Sequence, residues 1–309
     1  MTTRRKLSYG IAIPQVFPDG EIDTSFISHF VSKAESLGYD SLWVQEQSIG
    51  KALMLDPILL LTYAASLTNR VKLASAVILT NLSNPIHWAK SLATLDQLSN
   101  GRLIVGIGLG MNSTNYPAFG ISPERRVSRF EEGISLIKAL WTQESVTFHG
   151  RFWQMENAYL NPKPLQKPHP PLWFGAQSAP ALKRATRLGD GWIAQGSSST
   201  AAFKENAKLL RQSLEQDGKD PLSFPIGKRV YIAVDKNKDT AAKTLQNWFA
   251  HRYGNPSRAT EVSVYGNEQE CIDGLSDILS VGIDVLQLNP IANEIEQAER
   301  LSKDILPKL

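Results

Sequence analysis

Cysteine is almost absent from this chain, and so are long apolar runs, paired histidines and any large excess of charge of one sign. The single cysteine, Cys271, excludes an internal disulfide. It sits in a helical pattern with Ile272, Leu275, Ile278 and Leu279, which marks a buried structural thiol rather than a nucleophile. No apolar segment approaches the roughly 20 residues that a membrane helix needs. The stretch Leu7 to Ile13 holds Ser8 and Gly10 and ends at Pro14, so the basic run Arg4-Arg5-Lys6 before it reads as a solvated tail, not as the start of a secretory signal. The protein is therefore expected to be soluble and cytoplasmic, with no membrane partner. Its 33 basic and 30 acidic residues leave a net charge of +3, too small and too dispersed to form a nucleic-acid footprint. His29, His87, His149, His169 and His251 fall at no metal-ligand spacing, and no Gly-x-Ser-x-Gly element occurs. Metal-dependent and serine-hydrolase chemistry both lose their usual residues.

What is present is a repeated grammar. An apolar helical pattern ends at Gly or Asn and a strand follows almost at once: Leu37-Gly38-Tyr39-Asp40 before SLWVQ, Thr68-Asn69-Arg70 before VKLASAVIL, Ser99-Asn100-Gly101 before RLIVGIG, Leu188-Gly189-Asp190-Gly191 before WIAQ, and Val281-Gly282-Ile283-Asp284 before VLQLN. Gly and Asn tolerate the left-handed conformation that ends a helix. With strands at Leu7–Ile13, Pro171–Phe174 and Gly227–Val234 the count reaches eight, and their nearly continuous apolar runs suit a parallel sheet covered on both faces. A length of 309 residues admits one barrel with insertions or two ordinary domains; alternation of strand and helix throughout favours a single (β/α)8 barrel, a TIM barrel, over residues 1–309. Asn84-Pro85 and Ser122-Pro123 read as helix starts, and Val127, Phe130, Ile134, Ile137 and Trp141 as packing positions of the helix after Ser122. One stretch, about 144–170, breaks the rhythm with an alternating VTFHGRFWQM segment and a proline-rich run. It predicts a hairpin inserted between strands four and five, lying over one end of the barrel and shaping the pocket.

A barrel of this kind carries its site at the C-terminal strand ends. Those positions are Pro14-Gln15, Gln45 to Gln47, Ala76 to Thr80, Gly108 to Asn112, Gly175 to Ser178, Gln195-Gly196 and Asn289. They are poor in charge and rich in Gly, Ala, Ser, Asn and Gln, which suits a large flat heterocycle held by hydrogen bonds. Gly175-Ala176-Gln177-Ser178 opens a helix whose unpaired N–H groups and partial positive charge would take a phosphate, with Gly175, Gln177 and Ser178 nearest to it. Gly106, Gly108 and Gly110 alternate after a strand, but Asn112-Ser113-Thr114-Asn115 follows where a dinucleotide fold needs a helix. Either these glycines make room inside the barrel or Gly108 and Gly110 let a cofactor approach.

The segments LGYDSLWVQEQ, SAVILTNLSNPIHWAKSLATLDQLSNGRLIVGIGLG, FEEGISLIKALWT and PLWFGAQSAPALKRATRLGDGWI closely resemble the bacterial-luciferase-like superfamily of flavin- or deazaflavin-dependent oxidoreductases and monooxygenases. The resemblance is collinear from strand one to strand six and weaker over the last hundred residues. It implies a barrel that binds reduced FMN or the deazaflavin coenzyme F420 at its C-terminal mouth, a small organic substrate, and often a homodimer. Carried over position by position, Ala76-Val77 matches a non-prolyl cis peptide that supports the ring, Gly108, Leu109 and Gly110 match the segment lining ring and side chain, and Gly175, Ala176, Gln177 and Ser178 match the phosphate loop. Leu109 stands where luciferase-type members have Arg, which removes one phosphate contact. Glu46-Gln47 stands where many relatives have Glu-His or Asp-His, and an amide cannot shuttle a proton. Glu46 and Gln47 are thus the catalytic candidates, with Glu46 either the proton-transfer group or a structural carboxylate and Gln47 an orienting amide. The resemblance leaves hydride transfer and oxygen insertion both open; a non-catalytic flavin binder and an unrelated barrel enzyme for another phosphorylated ligand are the alternatives.

Overall fold

The structure, a computed structural model, describes residues 5–18, 20–110 and 113–309; Arg4 and Asn112, singled out above, lie outside the described residues. Strands and helices alternate as β1 (Ser8–Ala12), α1 (Thr24–Ser36), β2 (Ser41–Val44), α2 (Pro57–Leu67), β3 (Lys72–Ser75), α3 (Pro85–Leu98), β4 (Leu103–Ile107) and α4 (Arg126–Thr142). A hairpin of β5 (Val146–His149) and β6 (Gln154–Ala158) precedes β7 (Leu172–Phe174), α5 (Ala179–Leu188), β8 (Gly191–Ala194), α6 (Thr200–Gln216) and β9 (Ile226–Val234). The chain ends with α7 (Lys238–Tyr253), α8 (Arg258–Val262), β10 (Val264–Gly266), α9 (Glu268–Leu279), β11 (Val285–Pro290) and α10 (Glu294–Arg300).

Strands β1, β2, β3, β4, β7, β8, β9 and β11 pair in parallel and close into a TIM barrel, β8 joining β9 and β11 joining β1. The interior is filled by Trp43, Ala74, Trp173, Ile193 and Val285. Trp43 and Trp173 lie 6.1 Å apart, and glycines supply the space they need: a Cβ on Gly10 would fall 2.3 Å from Trp43 Nε1, and one on Gly227 2.9 Å from Trp173 Cζ3. Side-chain caps start the helices where polar residues precede an apolar run, with Asp23, Asp56, Asn84, Ser199, Asn237 and Asn267 each accepting first-turn N–H groups. In α4 the start differs from the one the sequence predicts. The helix begins at Arg126 and not at Ser122, because Ser122 closes a local turn by accepting from Glu124 N and Arg125 adopts φ 58° ahead of the first helical residue. Arg5 is not a free tail residue either, since its guanidinium donates to Ser223 O at 2.6 Å.

Two excursions leave the barrel rhythm, and they do different things. The hairpin and proline-rich run sit between β4 and β7 and follow α3 and α4 down to the foot of the barrel, so they do not shape the pocket as expected from the sequence. Glu132 accepts from the Arg151, Phe152 and Trp153 N–H groups, and Gln166 bonds to buried Asp96 and to Leu103 O at the start of β4. None of the residues 144–170 lines either of the two main cavities. The mouth is instead walled on one side by the last turn of α7, part of an unexpected unit α7-α8-β10. Here β10 extends the sheet beside the far end of β9, and Tyr231, Trp248, Phe249, Ala259 and Ile291 form a separate small core. The helix that packs beside α6 in the outer ring is α9, so α7 is free to reach the cleft.

Candidate active site

The mouth begins where β3 leaves its neighbour. Pairing of β3 with β4 stops at Ala74 and Ile104 and resumes at a bridge between Ile78 and Ile107. Across the gap Ser75 Oγ donates to Gly106 O and accepts from Gly106 N, and Ile78 N donates to Gly106 O. Residues 75–77 are thereby displaced toward the cleft, and the Ala76–Val77 peptide is cis. Added Cβ atoms would fall 1.7 Å from Ser75 O at Gly106, 2.6 Å from Val77 Cγ2 at Gly108 and 3.0 Å from Val77 Cγ1 at Gly175. The alternating glycines therefore seat the Ser75–Val77 segment. The space of their missing side chains is occupied by protein.

A cavity of about 320 Å³ opens on this platform, and all of Ala76, Val77, Gly108, Leu109, Gly110, Gly175, Ala176, Gln177 and Ser178 line it. The cavity wall also includes Phe130, which sequence spacing assigns to packing alone; it does pack, edge-on against Phe174 at 5.8 Å, but its position on α4 reaches the cavity too. At the far end Ser178 precedes the first turn of α5 and makes no side-chain capping bond, while Ala176 O is taken by Trp192 Nε1. The Gly175 N–H, expected from the sequence to face the phosphate, is spent on Ile107 O, so the N–H groups left to meet an anion are those at the Gln177-Ser178 end of the loop, ahead of α5. Arg184 adds a guanidinium that already faces Glu131 at 3.7 Å. This donor end, and an apolar wall of Val77, Leu109, Phe174 and Ile193, fit a flat ring with a phosphate tail.

The larger cavity, about 790 Å³, continues past the same platform and contains Glu46 and Gln47. Glu46 accepts from Leu79 N and Ser48 Oγ, so its carboxylate braces the chain just beyond Ala76–Val77. Burial raises its pKa, with Asp56 adding to the rise against those two hydrogen bonds. Gln47 folds its amide over Gly50, where any Cβ would collide with it. Of the strand-end amides, Gln15 bridges Gln45 O and Leu55 O, and Gln45 Nε2 donates to Asn289 Oδ1. Among the described residues no cluster of His, Cys, Asp and Glu could hold a metal ion, and no helix is long and apolar enough to cross a membrane. Cys271 is buried and its thiol is pushed up to about 12, chiefly by that burial.

The residue that sequence reasoning missed is Arg229. It is 6 % exposed, lines both cavities, and donates to Asn289 Oδ1 at 3.1 Å, to Tyr231 OH and, at 3.5 Å, to Ala76 O. Tyr231, Arg252 and Tyr253 stand beside it on the larger cavity. The signal was the pair Lys228-Arg229 inside a strand whose nine residues are all buried: two cations cannot enter such a strand without a use for each face. Arg229 turns to the mouth, while Lys228 turns outward and donates to Gln195 O, Ser198 O and Ser198 Oγ, fixing the loop after β8. Burial, reinforced by the charge of Arg229, lowers the Lys228 pKa from 10.5 to about 7. Between those values the unfolded chain carries a proton that the native chain has shed, so stability rises with pH across the window. The urea midpoint is expected to climb from about pH 7 to pH 10 relative to that of Lys228→Met, and parallel profiles would refute this.

The sequence matches the luciferase-like monooxygenases over residues 10–278, and the chain belongs to that family. The F420-dependent glucose-6-phosphate dehydrogenase of Kineococcus radiotolerans is 30 % identical over 254 residues, 79 % of this chain and 72 % of that protein. The FMNH2-dependent dimethylsulfone monooxygenase of Pseudomonas putida is 30 % identical over 181 residues, 58 % of this chain and 48 % of that protein. An uncharacterized protein of Mycobacterium tuberculosis reaches 38 % identity over 183 residues, 59 % of this chain, and the match spans 64 % of that relative's length. A solved F420-dependent secondary alcohol dehydrogenase, in complex with an F420-acetone adduct, shares the fold with a TM-score of 0.83 at 20 % identity, over 99 % of both chains.

Proposed function

We propose that this protein is an oxidoreductase that holds coenzyme F420 in the smaller cavity, ring against Ala76–Val77 and phosphate at Gln177-Ser178, and reduces a small organic substrate in the larger one. The observation that carries the choice is the charge at the phosphate end. Leu109 brings no charge, and Arg184 and Arg187 share the single carboxylate of Glu131, at 3.7 and 2.6 Å, which leaves about one net positive charge beside the tail. A singly charged phosphodiester, as in the deazaflavin, suits that end better than the doubly charged monoester of FMN. The similarity to the F420-dependent dehydrogenase, extending over 79 % of the chain, supports the same reading. When bound in its reduced form, the deazaflavin would supply a hydride to the substrate and be left oxidised. The chain's own contribution is to fix the ring on Val77, to exclude water with Leu109, Phe174 and Ile193, and to hold the platform in place through Glu46. Reduced FMN with oxygen chemistry is the second reading, favoured by the similarity to the dimethylsulfone monooxygenase.

Anaerobic calorimetric titration with F420, FMN and reduced FMN tests both. F420 is expected to bind about tenfold or more tightly than reduced FMN. Leu109→Arg should narrow that gap by restoring a charge at the phosphate end. Preference for reduced FMN would favour the second reading, and binding of none would overturn the cofactor assignment. Cofactor binding with no turnover on any substrate class would leave a flavin-binding protein.

A further inference from the structure

We propose that the end of the larger cavity beneath α7 is a subsite for an anionic group of the substrate, a carboxylate or an equivalent oxyanion, gripped by Arg229 and Arg252 with the Tyr253 hydroxyl beside them. This rests on the reading of the cleft as a site for cofactor and substrate together. Arg229 and Arg252 both line the cavity, and among the described residues neither has a carboxylate within 4 Å. Three of the five N–H donors of Arg229 are engaged, one of them only at 3.5 Å. The Arg252 Nε is buried and has no hydrogen-bond partner. Glu46, the acid in the same cavity, is committed to Leu79 N and Ser48.

The two guanidiniums each lie over one ring of a tyrosine pair on the cavity wall. Arg229 lies over the Tyr231 ring at 4.6 Å and Arg252 over the Tyr253 ring at 5.1 Å, with the rings 6.4 Å apart. Arg229 is buried and Arg252 partly so; two like charges on one cavity wall repel, and an anion bound beside them offsets that cost. The hydrogen-bond chain is also directional. Arg229 donates to Tyr231 OH, which can then donate to the neighbouring Tyr253 OH, leaving the Tyr253 proton available to a ligand oxygen. Tyr231 is pushed well up by burial, whereas Arg229 and Arg252 outweigh burial at Tyr253 and hold its pKa below the ordinary phenol value. The cofactor phosphate is provided for elsewhere: the cavity that includes Gln177 and Ser178 does not include Arg252, Tyr231 or Tyr253. The anion at the α7 end is therefore assigned to the substrate.

Calorimetry on the intact protein, with and without F420, would compare benzoate with benzamide and acetate with acetamide. At least one carboxylate is expected to bind about tenfold or more tightly than its amide, and Arg252→Gln to erase that preference while cofactor affinity stays at the parent value, which also reports that the variant is folded. Arg252→Lys should recover part of it, as a charge without the planar fork. Equal affinity for acid and amide in both pairs would overturn the proposal. So would an Arg252→Gln variant that loses cofactor affinity and keeps the carboxylate preference, because the anion would then belong to the cofactor. Failure of F420 and FMN to bind the parent would remove the cofactor reading and leave the carboxylate comparison standing.

Discussion

Gly106→Ala is expected to lose cofactor binding and to destabilise the fold beyond the about 1–3 kcal/mol usual for overpacking. The added Cβ would sit 1.7 Å from Ser75 O and 2.8 Å from its carbonyl carbon. Those are backbone atoms, so no rotamer change relieves the overlap; β3 or β4 must shift. Each shift breaks something on the page: Ser75 Oγ exchanges two hydrogen bonds with Gly106, and Ile78 re-enters the sheet through Gly106 O. Separation of the strands would move Val77 off Gly108 and Gly175, and with it the platform shared by both cavities. Urea unfolding and a cofactor titration on the same preparation make the check. Gly133→Ala is the control, because its Cβ would meet the Trp153 ring at 3.4 Å and the change favours helix. A Gly106→Ala protein with parental midpoint and affinity would show that the strands have slack which the hydrogen bonds do not suggest.

Much of this architecture was legible from punctuation. Gly38, Asn69, Asn100-Gly101, Gly189 and Gly282 each follow a helix and lead into a barrel strand, and eight buried strands follow in the expected order. The proposed cofactor residues fall on one cavity wall because parallel strands in a barrel all end at the same face. What could not be read was which helix leaves the ring. Lys238 to His251 has the pattern of an ordinary barrel helix, and only tertiary packing reveals that its last turn lines the cleft while α9 takes the place beside α6. The same uncertainty left open which end of the barrel the proline-rich insertion covers, and so whether it shapes the pocket. Its polar and proline residues show that it is extended, but the anchors that place it, Asp96 and Leu103 O for Gln166, come from elements far away in sequence. Arg229 was hidden for a related reason, since it lies early in a long strand and not at its end.

The barrel also separates what stabilises it from what it uses, and its buried arginines allow the separation to be measured. Arg102→Met is expected to lower stability by about 3–5 kcal/mol and to leave cofactor affinity unchanged. Arg102 stands at the foot, just before β4, and every N–H of its guanidinium is spent: Nε on Ser99 O, Nη1 on Thr68 Oγ1 and Val71 O, Nη2 on Ala65 O and Thr68 O, all between 2.7 and 3.0 Å. These acceptors include carbonyls at the ends of α2 and α3, which nothing inside those helices can satisfy. Methionine fills much of the same volume but donates nothing, so several buried oxygens would be orphaned together. Arg229 has the same side chain and comparable burial at the other end of the barrel, with 6 % exposure against 8 % for Arg102. There the donors are only partly spent and the remainder face the cleft. Burial alone would rank the two residues together, whereas donor accounting assigns one to the fold and the other to a ligand. A shifted urea midpoint with an unshifted cofactor isotherm for Arg102→Met is the outcome that this accounting requires; loss of both in equal measure would mean that foot and mouth are energetically one unit.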